Sequence, residues 1–189
     1  MRISSSKQVI SPHSIAIECH CVGLLCTGSL QIEFDATSKE DGASCWPTRI
    51  VCRQGFAPSE LSRVLLEVKG KTIIDQAGET TNYVQKDKFN VELQASEFEQ
   101  VDAEPSAEVP LRLTIEFKLT MEQEKLWTLS LPDFSDQTPL RALITVDHCR
   151  LVTWPGSELE GSPVSYSAKG NEFSFSIEEV KGKRAPVHK

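Results

Sequence analysis

Between residues 111 and 121 the chain alternates apolar and polar side chains without a break. Leu111, Leu113, Ile115, Phe117, Leu119 and Met121 fall on one side, and Arg112, Thr114, Glu116, Lys118 and Thr120 on the other. Successive side chains of a strand point to opposite faces, so this stretch reads as a half-buried strand. A helical period would scatter the same apolar residues around the whole cylinder. At ~3.3 Å per residue the strand spans about 35 Å, which is long for a globular domain.

The same beat recurs elsewhere. Around Gly170-Asn171, a dipeptide suited to a two-residue loop, Lys169 faces Glu172, Ala168 faces Phe173, Tyr166 faces Phe175 and Val164 faces Ile177. A second hairpin is expected around Thr27-Gly28, with Leu25 opposite Leu30 and Cys21 opposite Phe34, extending an apolar face through Cys19, Ile17 and Ile15. A third, centred on Glu124, would pair Met121 with Trp127, Leu119 with Leu129 and Phe117 with Leu131. Further strands are expected at 48–53, 72–75, 88–94 and 140–154. Residues 59–69 fit either a short helix capped by Ser59 or a strand turned by Gly70, and the strand is preferred. The acidic stretch 92–108 reads as a surface loop.

A chain of 189 residues supports one core. The expected fold class is therefore all-β: a single antiparallel β-sandwich or flattened β-barrel of roughly nine to twelve strands. It would occupy residues 13–180, between a flexible N-terminal segment, 1–12, and a basic C-terminal tail, 181–189. With 39% apolar and 25% charged residues the chain is not a disordered tail, and no apolar run approaches the ~18 residues of a spanning helix. A net charge of −7 argues against nucleic acid or an anionic membrane as the main partner. The apolar stretch 15–25 is interrupted by Glu18 and His20 and does not read as a secretion signal. No asparagine starts a glycosylation sequon, and six cysteines are too sparse for a disulfide scaffold, so a cytoplasmic location with reduced thiols is expected.

Chemistry is sparse. Cys19 and Cys21 would share a strand face while His20 points the other way, and no C-x-x-C occurs, so these cysteines read as core residues and no metal or other cofactor is expected. Asp147 and His148 would leave a strand on opposite faces. No nucleophile elbow, phosphate-binding loop or dinucleotide fingerprint is present. An enzyme would have to use His20 or His148 in a cleft beside an acid. The segment 42–58 gathers Trp46, Arg49, Arg53 and Phe56, residue types that dominate binding hot spots, and these are the candidate binding residues. The expected function is a non-enzymatic module working through protein–protein contacts, as an adaptor or as a building block of a larger assembly, with a protein partner or self-association. A small apolar ligand held in a barrel is the alternative, and an enzyme the second alternative.

Overall fold

The computed structural model describes residues 2–4, 9–37, 49–52, 60–77, 84–85, 88–92, 108–123, 125–132, 134, 137–152 and 172–180. Among them are fourteen strands and no α-helix. In chain order these are β1 (Arg2–Ser4), β2 (Val9–Ile10), β3 (Ser14–Val22), β4 (Leu25–Thr37), β5 (Arg49–Cys52), β6 (Leu61–Val68) and β7 (Lys71–Ala77). The remainder are β8 (Val84–Gln85), β9 (Lys88–Glu92), β10 (Glu108–Thr120), β11 (Trp127–Ser130), β12 (Leu140–Asp147), β13 (Cys149–Val152) and β14 (Glu172–Glu179). Residues 2–4 and 9–10, in the segment set apart at the N-terminus, thus pair as strands, while the basic tail and residues 93–107 lie outside the described residues.

The large sheet has six strands in the order β12-β3-β4-β10-β6-β7, a small sheet has three in the order β11-β14-β13, and a third has five in the order β2-β1-β5-β9-β8. The fold is all-β, but the large sheet is mixed: β12 runs parallel to β3, from Leu140 beside Ile15 to Asp147 beside Val22. The sheet does not close, so the expected barrel and purely antiparallel pairing give way to an open mixed sheet. Two partners far apart in sequence, joined by no tight turn, are free to run in the same direction.

The long alternating strand is β10, and it lies between β4 and β6 with Leu111, Leu113, Ile115 and Phe117 buried. Because both its edges are occupied, β11 cannot form the expected hairpin with it. β11 pairs instead with β14, Trp127 opposite Phe175 and Leu129 opposite Phe173. Residues 61–68 are strand, and the chain turns at Lys69-Gly70, both at positive φ (50° and 76°), as the hairpin loop joining β6 to β7 requires.

The first hairpin is correct in its faces away from the loop and wrong in its turn. The loop is Gly23-Leu24, so Cys21 opposes Cys26, Ile17 opposes Leu30 and Ile15 opposes Ile32. Gly23, at φ 57°, supplies the positive first loop position that β-branched Thr27 supplies poorly. The two registers differ by an even number of residues, so Ile15, Ile17, Cys19, Cys21, Leu30, Ile32 and Phe34 go inward in both, but near the loop Leu25, expected inward, is exposed and Cys26 is buried in its place. Gly28 is consumed inside β4 opposite Phe117, whose ring lies over it. The expected strand 140–154 breaks at His148, a non-glycine residue at φ 55°, which turns the chain from β12 in the large sheet to β13 in the small one. The first strand of the hairpin expected at Gly170-Asn171 lies outside the described residues. Its second strand is β14, which pairs with β11 and β13.

One apolar cluster joins the two sheets. It includes Ile17, Leu30, Phe34, Leu66 and Ile115 of the large sheet and Leu129, Phe173, Phe175 and Ile177 of the small one. Trp127 bridges them, its ring centroid 5.5 Å from Phe117 on one side and 5.5 Å from Phe175 on the other.

Candidate functional site

Alternation sends Cys19 and Cys21 of β3 into the core and leaves Glu18 and His20 on the outward face. Four free thiols, Cys19, Cys21, Cys26 and Cys149, are buried together beneath the β3–β4 turn. The Cys21 thiol is pushed well above the ordinary thiol range, first by its hydrogen bond with Cys26 and then by burial. Cys26 is pushed up to about 12, first by its hydrogen bond with Cys19, although its bond with Cys21 pulls it down. Cys149 is raised chiefly by burial, and its Sγ donates to the Cys21 carbonyl at 3.7 Å. Raised and buried, Cys21, Cys26 and Cys149 are held in the thiol form, which is the weaker nucleophile. Among the described residues no group of three or more His, Cys, Asp or Glu is arranged to hold a metal ion.

On the outward face, β12, β3, β4, β10 and the start of β6 build a shallow depression of about 450 Å³. Its polar lining includes Glu18, His20, Ser29, Glu116 and Lys118. The orientation of His20 is set locally. Thr145 on the neighbouring β12 holds its hydroxyl 2.8 Å from His20 Nδ1 in a hydrogen bond and 3.3 Å from the Cys19 carbonyl. The second histidine is differently placed. His148 Nε2 lies 3.6 Å from its neighbour Asp147 Oδ1, and its side chain is 78% exposed. The expected opposition of these two side chains fails because His148 is in the left-handed region and not in a strand.

At the far end of the same face is a charged cluster. Glu33 accepts from Ser14 Oγ at 2.8 Å and from both Nε and Nη2 of Arg112 at 3.0 and 2.7 Å. The Arg112 hydrogen bonds hold the Glu33 carboxyl below its ordinary range. His13 Nδ1 adds an approach of 3.3 Å to Asp35.

Of the candidate binding residues, Arg49 begins β5, opposite Ser4 of β1 and Glu92 of β9 in register. Trp46, Arg53 and Phe56 lie outside the described residues. The outward depression was not anticipated from the sequence. It needs residues from five separate stretches, and the signal within reach was the shared outward parity of Glu18, His20, Thr27 and Ser29.

No family model matches the chain. No curated protein matches it either. A crystal structure of Legionella pneumophila aminopeptidase A in complex with aspartic acid is similar at 8% identity with a TM-score of 0.34, over 95% of this chain and 21% of that one. The chain thus spans about a fifth of the length of that structure. Among the described residues, no helix is long and apolar enough to cross a membrane.

Proposed function

We propose that this chain is a non-enzymatic β-module that works through protein–protein contacts, as an adaptor or as a building block of a larger assembly. The observation that carries this reading is the outward face of the large sheet, a broad surface of mixed charge whose depressions are open rather than enclosed. Surfaces of that kind contact other surfaces, whereas small apolar ligands need enclosure. The finer architecture we propose is a sandwich, with the small sheet laid over the inward face of the large one. The shared core and the Phe117–Trp127–Phe175 contacts support it. A reducing, cytoplasmic setting is part of the same proposal, supported by Cys21 and Cys26, which stand directly opposite each other as free thiols. Trp46, Arg49, Arg53 and Phe56 remain the proposed contact residues for the partner.

Light scattering over a concentration series tests the reading, on the purified protein and on any companion isolated with it and then purified separately. Self-association or a complex of fixed stoichiometry, weakened by Trp46→Ala or Arg53→Glu at unchanged melting temperature, is the expected outcome. A strict monomer with no stoichiometric companion overturns it.

A further inference from the structure

We propose that the outer edge of β12 is a self-association interface, at which two copies of this chain pair antiparallel through Leu140–Asp147 with Ile144 opposite itself. The proposal rests on the protein-contact reading and names its surface and partner. β12 ends the large sheet, and among the described residues its only strand neighbour is β3. Two bonds fix which of its backbone groups are turned away. The Pro139 carbonyl accepts from Ile15 N at 3.0 Å, and the Asp147 carbonyl from Gly23 N at 2.8 Å. Residues bonded to one neighbour alternate along a parallel ladder, so the odd-numbered residues from 139 to 147 bond to β3. Leu140, Ala142, Ile144 and Val146 then turn their N–H and C=O groups outward.

Among the described residues this edge carries neither a bulge nor an interrupting proline, and the β12 register runs without a shift over its full length. The opposite edge differs: the β6–β7 ladder shifts register between Leu66 and Glu67, and Asp75 of β7 is clamped by Arg63 at 2.7 and 2.8 Å. A bulge of that sort blunts an edge against pairing, and a regular strand without one invites it.

Charge selects the occupant and the register. A two-fold axis perpendicular to a sheet keeps faces matched, so each residue must oppose one of its own parity. Centred on Ile144, the pairing sets Arg141 opposite Asp147 of the second copy, and by symmetry does so twice. It sets Ala142 opposite Val146 and covers exposed Leu143 with Thr145. Ile144 meets itself as a hydrogen-bonded pair, as its outward N–H and C=O demand. Centred instead on Leu143, Arg141 meets Thr145 and Asp147 meets Pro139. Centred on Thr145, Asp147 meets Leu143. Only the Ile144 register pairs both charges, and Arg141 has no ion pair among the described residues.

Sedimentation equilibrium of the full chain tests this with a charge reversal. The parent is expected to dimerise, and Arg141→Asp or Asp147→Arg alone should each weaken the dimer about tenfold. The double variant, which restores opposite charges, should return to within about threefold of the parent. Ala142→Pro removes an outward donor that no described residue accepts from, so it should abolish dimerisation while circular dichroism and melting show a folded chain. A parent that stays monomeric, a dimer unmoved by the single reversals, or a double variant that fails to recover each overturns the proposal. If Trp46→Ala weakens association and the β12 variants do not, the protein-contact reading stands and this interface falls.

Discussion

At the scale of single residues, Gly28 shows how little room a paired sheet leaves. A Cβ at this position would sit 2.5 Å from the Glu18 carbonyl oxygen and 2.5 Å from Cζ of Phe117. The first of these is backbone within a ladder and cannot step aside, so Gly28→Ala is expected to cost about 1–3 kcal/mol, measured by urea denaturation. The thiols carry a pH signature. Below pH 9.0 Cys26 is protonated in both folded and unfolded chains; between there and about 12 only the unfolded chain ionises, so stability falls as pH rises across that window. Denaturation curves at successive alkaline pH values should show this slope, and Cys26→Ala should flatten it whatever its effect on the height. The inward placing of Cys19 and Cys21 and the outward placing of His20 were legible, because parity along one strand settles both. The hydrogen bond between His20 and Thr145 was not, since the two residues stand 125 positions apart.

At the scale of elements, alternation marked where β3, β4, β10 and β12 lie but not what each pairs with. Parity along β3 and in β4 from Leu30 onward survives the even slip of register between the Thr27-Gly28 and Gly23-Leu24 turns, while Leu25 and Cys26 exchange faces, and the backbone requirement at the first loop position favours the second. The hairpin expected between β10 and β11 failed for a reason no local pattern carries: β4 and β6, from earlier in the chain, already hold both edges of β10. Apolar residues of β11 nevertheless reach the same core, through Trp127 against Phe117 and Phe175. Trp127→Ala is therefore expected to lower stability by about 2–4 kcal/mol, because it strips a ring that touches both sheets. Thermal melting with intrinsic fluorescence would show the loss. The candidate contact segment 42–58 was legible only as composition; its one described strand, β5, joins the third sheet and gives Arg49 a register position opposite Glu92.

At the scale of the whole molecule, most strand pairings among the described residues, other than the hairpins, join distant parts of the chain. β10 closes on β4 with Glu108 opposite Thr37 and on β6 with Leu111 opposite Val68, and β12 closes on β3 with Leu140 beside Ile15. Such separations cost loop entropy before any contact repays it, so stopped-flow refolding is expected on a timescale of about milliseconds to seconds, slower than for a helical protein of similar size. All-β character was readable because period-two alternation is local. The mixed direction of the large sheet was not, because nothing within β3 or β12 alone states which way its neighbour runs.

The parallel seam between β3 and β12 sets a timetable for synthesis. The hairpin of β3 and β4 leaves the ribosome early, while the strand that must flank it is translated more than a hundred residues later, as Ile15 and Leu140 are neighbours. For that interval the outer side of β3 has no native neighbour. A nascent chain carrying this hairpin is expected to present an unpaired strand edge until its later half emerges, and slower synthesis of that half would lengthen the exposure.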